Sequence, residues 1–459
     1  MSVRVRFAPS NTGHLHMGSV RTALFNYLFA RNQDGTFILR IEDTDRERST
    51  DEFTESIIEA MDWLGMSPDE GPVFQTDRLG MYQEHIDTLL EEGRAYRCYC
   101  TPEELEEMRE KAVAEGRKPK YSGKWRDRDD HPEGEPYTVR IKMPQEGSVT
   151  IDDMVQGEVT VDVEELDDFI IQRTDGTPTY NFVVVIDDID MDISHVIRGD
   201  DHLNNTFRQV PVYKALGEEP PTFGHLPLLE GLSKRKGSAS AQDYRDKGIL
   251  QEALINYLSR LGWSHGDQEI FSHDELVEYF SFDSVGKSSS EFDEDKLRWV
   301  NSEWMKKLDA EELADRWKPF LEDRGFDTGA VDLTEVTDLM RDRADTLVAL
   351  TDESSYFFSD DFDYDEDAVD QWIDADNADA IAALIDGLEA LDDWSSDTVG
   401  SVFNDVGDEY DLGLANLAQP SRIALTGATS SPSVFSLVAA FPKDEAVGRL
   451  RKLHEGEFQ

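Results

Sequence analysis

Two short segments, far apart in the chain, carry the residue types that phosphate chemistry demands. Thr12-Gly13-His14-Leu15-His16-Met17-Gly18 follows the opening residues. Its small residues let backbone amides and an imidazole approach an anion at the start of a helix. Leu232-Ser233-Lys234-Arg235-Lys236-Gly237 supplies three consecutive cations between small residues, a composition suited to a loop closing on the same phosphates. Taken singly, the first also reads as an ordinary strand–helix turn and the second as a solvated basic loop. Together they fit activation of a carboxylate by ATP. The attacking carboxylate is already anionic and needs no base. The protein must instead neutralise the charge that builds on the α- and β-phosphates, with Mg²⁺ assisting.

The elements that must hold these residues are legible as patterns. Val3 to Ala8 alternates as a strand, and Val20, Ala23, Leu24, Tyr27 and Leu28 mark one face of a following helix. Phe37 to Ile41 is a second strand, ending in Glu42-Asp43-Thr44-Asp45. Strand–helix–strand order predicts an α/β fold, a doubly wound (Rossmann-like) parallel sheet with functional side chains at the carboxyl ends of its strands, where Glu42 falls. Strand-like runs then follow at Tyr137–Met143, Ser148–Ile151, Glu158–Val163, Phe169–Gln172 and Thr179–Ile186, which predicts an α+β insertion from about Tyr96 to Pro178. The sheet resumes at His195–Gly199, with a helix after Asp200. Beyond Gly231 the chain reads as helical: Ile249–Leu261, Asp295–Leu308, Glu311–Phe320, Leu333–Thr351 and Ala368–Leu391. The carboxyl half is therefore expected to be all-α.

The 459 residues carry 45 Lys and Arg against 98 Asp and Glu, a net charge of −53, and residues 351–400 contain no Lys or Arg. Periodic apolar residues and tryptophans persist throughout, which argues for an acid-coated folded protein of a salt-rich cytoplasm rather than a disordered acidic chain. That charge opposes a nucleic-acid partner, so any RNA site must be built from local basic groups. No run approaches the roughly 18 apolar residues of a membrane span, and the amino terminus is expected to enter a strand directly without a signal peptide. With Cys98 and Cys100 as the only cysteines, a reduced compartment, the cytoplasm, is the natural reading.

Seven motifs in order extend this picture: Arg6-Phe7-Ala8-Pro9-Ser10, the Thr12–Gly18 turn, Arg40-Ile41-Glu42-Asp43-Thr44-Asp45, Pro178-Thr179-Tyr180-Asn181-Phe182, Val196-Ile197-Arg198-Gly199-Asp200-Asp201-His202, Leu232-Ser233-Lys234-Arg235, and Ala418-Gln419-Pro420-Ser421-Arg422-Ile423-Ala424-Leu425-Thr426-Gly427. On these the chain resembles the class I aminoacyl-tRNA synthetases, most closely those of bacterial glutamyl type, over essentially its whole length. The resemblance implies ATP-dependent formation of glutamyl-adenylate and transfer to the terminal 2′-hydroxyl of tRNA(Glu), with tRNA required before adenylation. It implies a catalytic domain at 1–95 and 178–222, an acceptor-stem insertion at 96–177, a stem-contact domain at 223–301 and a helical anticodon region at 302–459. A monomer is expected.

The resemblance also implies roles. His16, Gly18, Lys234 and Arg235 would serve the phosphates. Thr12, His16, Gly18, Asp200, Leu232 and Lys234 would bind ATP. Arg6, Ser10, Glu42, Tyr180 and Arg198 would hold glutamate, its anionic side chain meeting an Arg fork and its ammonium meeting Glu42. A structural salt bridge of Glu42 with Arg40 or Arg46 is the other reading of that residue. Arg343 would read the third anticodon base, or else pair with Asp342 or Asp345 on a helix surface. Tyr364, Trp372 and Trp394 read as packing residues or as platforms for stacked bases. Relatives complete a Cys-x-Cys zinc site with a later Cys and His. Here that stretch reads Tyr121-Ser122-Gly123-Lys124-Trp125-Arg126, so zinc is not expected and Mg²⁺ enters with ATP. Gly231 stands where the family often has lysine. A non-discriminating enzyme that also charges tRNA(Gln), and a non-catalytic tRNA-binding paralog, are the alternatives.

Overall fold

The computed structural model describes residues 2–45, 48–128, 130–231, 240–373 and 377–456. They form two compact units. One comprises residues 1–244 and 254–293, the other 245–253 and 294–459.

The first unit is built on parallel strands. β1 (Arg4–Phe7), α1 (Met17–Asn32), β2 (Thr36–Ile41), α2 (Asp51–Trp63), β3 (Glu70–Phe74) and α3 (Leu79–Glu91) open it. β1 pairs with β2 and β2 with β3, all parallel. Next come β4 (Ala95–Cys98), α4 (Pro102–Ala114), β5 (Thr138–Ile141), β6 (Ser148–Asp153), β7 (Gly157–Asp162) and β8 (Ile170–Gln172). α5 (Tyr180–Asp190), β9 (His195–Gly199), α6 (Leu203–Leu216) and β10 (Thr222–Leu226) restore the α/β alternation. β9 lies beside β1, where the Ser194 amide donates to the Arg4 carbonyl (3.0 Å), and pairs in parallel with β10. The chain thus winds outward from β1 in one direction and from β9 in the other. The carboxyl ends of those two strands form the switch point where ligands bind in such sheets.

The strands expected as an insertion divide between two sheets. β4, β5 and β8 make a separate antiparallel sheet. The β6–β7 hairpin instead extends the main sheet, β6 running parallel to β10 through Phe223 and Asp153. The run Thr179–Ile186 is a correction: it is not a strand but helix α5. Its β-branched residues Val183, Val184, Val185 and Ile186 are all buried together with Phe182, in one apolar core with residues of α6 and the sheet. Burial on every side erases the periodicity that separates helix from strand, and tertiary packing overrides local β preference. β11 (Leu229–Glu230), α7 (Ala241–Asp246), α8 (Gln251–Arg260), α9 (His273–Tyr279) and β12 (Ser290–Glu291) complete the ordering up to residue 293.

The second unit holds α10 (Glu294–Lys307), α11 (Ala310–Asp323), α12 (Leu333–Met340), α13 (Leu347–Glu353), α14 (Glu366–Trp372), α15 (Ala378–Glu389), α16 (Ser396–Tyr410), α17 (Ala415–Thr426), α18 (Val434–Ala440) and α19 (Lys443–His454). Two expected helices are each two. Leu333–Thr351 breaks at a 3₁₀ turn, Arg341–Arg343, because Ala344 is extended and Thr346 starts a new helix by accepting from the Ala349 amide (3.0 Å). Ala368–Leu391 is interrupted after Trp372, whose carbonyl accepts from Asn377 Nδ2 (2.9 Å). No helix among the described residues is long and apolar enough to cross a membrane.

Candidate active site

The switch point opens into a cleft of about 570 Å³. Its walls are the end of β1 and the segment after it (Arg6 to Ser10), the start of α1 (His16, Gly18), Glu42 after β2, Tyr180 at the head of α5, and Arg198 to His202 at the end of β9, with Asp200 excepted. Seven residues singled out in the sequence therefore meet in one cavity: Arg6, Ser10, His16, Gly18, Glu42, Tyr180 and Arg198. Thr12 lies at its edge, its hydroxyl 3.4 Å from that of Ser10. Asp200 sits in the 3₁₀ turn after β9 but does not line the cleft, and burial together with Asp201 raises its carboxyl above the ordinary range. Leu232, Lys234, Arg235 and Lys236, like Arg46, lie outside the described residues.

The end of the cleft suited to an anion is the amino terminus of α1. His16 caps it without a side-chain bond to the backbone, and its first turn has no acidic residue to occupy the exposed amides, so those amides and the helix dipole face the cleft. Among the described residues, and apart from its chain neighbours and the backbone of its own helix, no atom stands within 4 Å of where a Gly18 side chain would begin. The missing side chain thus enlarges the cleft rather than serving internal packing. Ser240 pairs with His16 through an isolated antiparallel bridge, which brings the chain just beyond the second motif to the first. Gly231, just before that motif, has φ +83 and a Cβ there would stand 3.1 Å from the Phe292 carbonyl. Both facts disfavour a lysine at this position.

At the opposite end two guanidiniums converge. Arg6, 4 % exposed, donates Nε to Asp188 (3.1 Å) and leaves its two Nη groups without a protein partner among the described residues. That is the bidentate end of the fork. Arg198, 7 % exposed, spends Nε on His225 (3.3 Å) and Nη2 on Thr206 (2.6 Å) and Gln209 (2.7 Å). Only Nη1 remains for a ligand. Burial pulls the Arg198 pKa down.

Glu42 lies 3.7 Å from Nη2 of Arg40, which is fully buried and also meets Asp188 (2.7 Å) and Asp187 (3.7 Å). Burial pushes the Glu42 carboxyl up to about 7, against the lowering influence of Arg40 and Arg6. Both readings of Glu42 therefore find a partner: Arg40 beside it and open cleft before it. Tyr180 stands at the mouth, its hydroxyl 3.2 Å from His202 Nδ1.

Several of these supports were not picked out from sequence. Arg21 lines the cleft one turn beyond Gly18, anchored to the carbonyls of Leu261 (3.2 Å) and Pro227, and burial lowers it to about 10. Asp187 and Asp188 hold Arg78, Arg6 and Arg40 from the buried face of α5. The available signal was an acidic pair closing a run of β-branched residues, since unpaired carboxylates do not bury.

Away from the cleft, Cys98 is buried with its thiol 3.5 Å from the Tyr121 hydroxyl. Among the described residues no group of three or more His, Cys, Asp or Glu is placed to hold a metal. In the second unit Arg343 ends the 3₁₀ turn that breaks the expected helix. It is exposed, donates to Ser430 (3.2 Å), and has no carboxylate partner among the described residues. Asp345 pairs with Arg298 instead. Trp394 is held by its indole N–H on the Phe441 carbonyl (2.9 Å), a packing role.

This geometry agrees with what similarity shows. Residues 2–299 match the catalytic domain of the class I tRNA synthetases for glutamate and glutamine, and residues 312–454 match an anticodon-binding domain. The chain belongs to that class I synthetase family. Its relatives include the glutamate–tRNA ligase of Syntrophotalea carbinolica, 50 % identical over 98 % of both chains, and that of Geotalea uraniireducens, 49 % identical over the same shares. A crystal structure of a glutamate tRNA ligase from Elizabethkingia meningosepticum in complex with its amino acid superposes with a TM-score of 0.88 at 32 % identity, covering 99 % of each chain.

Proposed function

We infer that this chain is a glutamate–tRNA ligase. It joins L-glutamate to ATP as glutamyl-adenylate and passes the glutamyl group to the terminal ribose of tRNA(Glu). The observation that carries the reading is that Arg6 and Arg198 line one cleft together with a helix amino terminus whose first turn has no acidic residue. A substrate with an anionic side chain meets both cations, whereas a neutral amide would leave Arg198, which has only neutral partners among the described residues, without a counter-charge. Glu42 then faces the ammonium. An oxygen of the α-carboxylate forms a bond to the α-phosphorus while the bond from that phosphorus to the β-phosphate bridging oxygen breaks and pyrophosphate leaves. His16 and the α1 amides stabilise the phosphates, joined by Lys234 and Arg235. Mg²⁺ arrives with ATP as part of the substrate. The tRNA 2′-hydroxyl next attacks the mixed anhydride and AMP leaves.

On this reading residues 96–177 grip the acceptor stem, 223–301 contact the stem, and 302–459 bind the anticodon, with Arg343 reading its third base. Exposure of Arg343 on an irregular turn makes the donors not spent on Ser430 accessible to an unpaired base. The enzyme acts as a cytoplasmic monomer whose acidic surface suits high salt. Unfolding followed against KCl concentration tests that last point, and greatest stability in dilute buffer would refute it.

ATP–pyrophosphate exchange in concentrated KCl tests the function, with glutamate or glutamine and with or without tRNA(Glu) or tRNA(Gln). Exchange only with glutamate plus tRNA(Glu) is the expected result. Exchange with tRNA(Gln) would show a non-discriminating enzyme, and no exchange under any condition would leave a non-catalytic tRNA-binding protein.

A further inference from the structure

We propose that His225 and Asp153 form a tautomer-fixing relay that positions Arg198, making the β6–β7 hairpin part of the substrate-recognition apparatus. The proposal rests on the glutamate reading of the cleft.

The relay begins at the end of β6. Asp153 is 2 % exposed, and its Oδ1 accepts three backbone amides, those of Val155 (2.9 Å), Gln156 (2.8 Å) and His225 (3.1 Å). These donors fix the carboxylate plane and leave Oδ2 facing His225 Nδ1 at 2.6 Å. Burial alone would raise the Asp153 carboxyl, but the bonds from His225 and the amides hold it below its ordinary value. A carboxylate only accepts, so Nδ1 carries the hydrogen.

That choice decides the other side of the ring. Nε2 of a neutral Nδ1–H imidazole is a lone pair, and it faces the Thr206 hydroxyl (2.9 Å) and Arg198 Nε (3.3 Å). Arginine only donates, so the lone pair is required. Burial lowers the His225 pKa, aided by Arg198 and against the raising influence of Asp153. The Thr206 hydroxyl gives its hydrogen to Nε2 and accepts from Arg198 Nη2 (2.6 Å). Gln209 Oε1 takes a second Nη2 bond (2.7 Å), and Gln209 Nε2 is itself held by Asn181 Oδ1 (3.0 Å). With Nε and Nη2 committed, only Nη1 points onward. His225 is fully buried and does not line the cleft, so it acts through Arg198 as a positioning residue.

Two measurements decide the matter. The first is the histidine tautomer in the unaltered protein, read by long-range ¹⁵N–¹H correlation with the His225 signal assigned from its loss in His225→Gln. The Nδ1–H form is expected, and an Nε2–H or doubly protonated ring would overturn the relay. The second is a double-mutant cycle read as KM for glutamate in tRNA charging. Asp153→Asn keeps its Oδ1 toward the three amides and turns an N–H₂ toward Nδ1. That favours the Nε2–H tautomer and aims a donor at Arg198. We expect KM for glutamate to rise about 10- to 100-fold, the scale of one lost bond to a charged group, while KM for ATP and kcat stay within about twofold. In the His225→Gln background, where Oε1 can accept from Arg198, Asp153→Asn should add less than about a twofold change. Equal effects of Asp153→Asn in both backgrounds, or a change confined to thermal stability, would show a structural role and overturn the proposal. Absence of glutamate charging by the unaltered enzyme would fail the functional reading instead, and the tautomer measurement would still decide the relay.

Discussion

Replacing Glu42 by glutamine should stabilise the protein and impair it at once. Glu42 shares its surroundings with Asp187 and Asp188, and the guanidiniums of Arg6 and Arg40 serve all of them. Arg40 keeps two acidic partners if Glu42 becomes neutral. Burial raises the Glu42 carboxyl from an ordinary 4.5 to about 7. Each factor of ten in acidity corresponds to about 1.4 kcal/mol, so ionising Glu42 in the empty cleft costs the native state up to about 3 kcal/mol. The sign follows from the direction of the shift. Below pH 4.5 the carboxyl is protonated whether folded or unfolded and contributes nothing. Between 4.5 and 7 the unfolded chain releases the proton first, so native stability falls as pH rises, and above 7 the cost is constant. Urea unfolding of the wild type and Glu42→Gln at fixed KCl should therefore give similar midpoints at pH 4 and a more stable variant at pH 8. The same substitution removes the anion assigned to the substrate ammonium, and KM for glutamate should rise by at least about tenfold, the scale of a bond to a charged group. A variant no more stable than the wild type at pH 8 would refute the claim that this carboxylate is held ionised at a cost. Higher stability with unchanged glutamate KM would refute its assignment to the substrate.

Other perturbations test separate parts. Lys234→Ala should lower kcat by about two to three powers of ten, as loss of transition-state charge stabilisation does, with glutamate affinity little changed. Single-turnover adenylation would check this, and unchanged turnover would end the assignment. Arg343→Ala should leave thermal stability within about 0.5 kcal/mol, as expected for an exposed side chain, yet reduce the preference for tRNA(Glu) over tRNA(Gln) in paired charging assays. An unchanged preference would return Arg343 to the protein surface. Gly248→Ala should destabilise the second unit by more than about 1 kcal/mol, since Gly248 has φ +77 and a Cβ would stand 2.6 Å from the Val348 amide. Urea unfolding with an unshifted midpoint would contradict that packing.

Much of the site was readable because its residues lie where chain and chemistry coincide. Arg6 lies near the end of one strand with Ser10 just beyond it, Glu42 follows the next, and Arg198 stands near the end of a third. A parallel sheet delivers strand ends to one edge, so order along the chain already predicts convergence. The His16 turn was legible for a related reason: small residues ahead of an apolar helical face identify a helix start that can accept an anion. Composition likewise excluded a membrane span and predicted a helical carboxyl half, which α10 to α19 form.

What the sequence could not decide are the properties that depend on partners distant in the chain. Four consecutive β-branched residues at Val183–Ile186 favour a strand in isolation, and only their enclosure between sheet and helix made them α5. Thr346 and Asn377 divided two apparent helices because side chains competed for backbone groups at points where periodicity gave no warning. The two arginines looked equivalent until the fold committed Nε and Nη2 of Arg198 to His225, Thr206 and Gln209 while giving neither Nη group of Arg6 a partner among the described residues. Residue type determined that cations, small residues and a carboxylate suited to a phosphate and an amino acid are present. Burial and long-range hydrogen bonding decided which of their atoms remain available to do so, because desolvation and donor–acceptor pairing are properties of the assembled environment rather than of any segment.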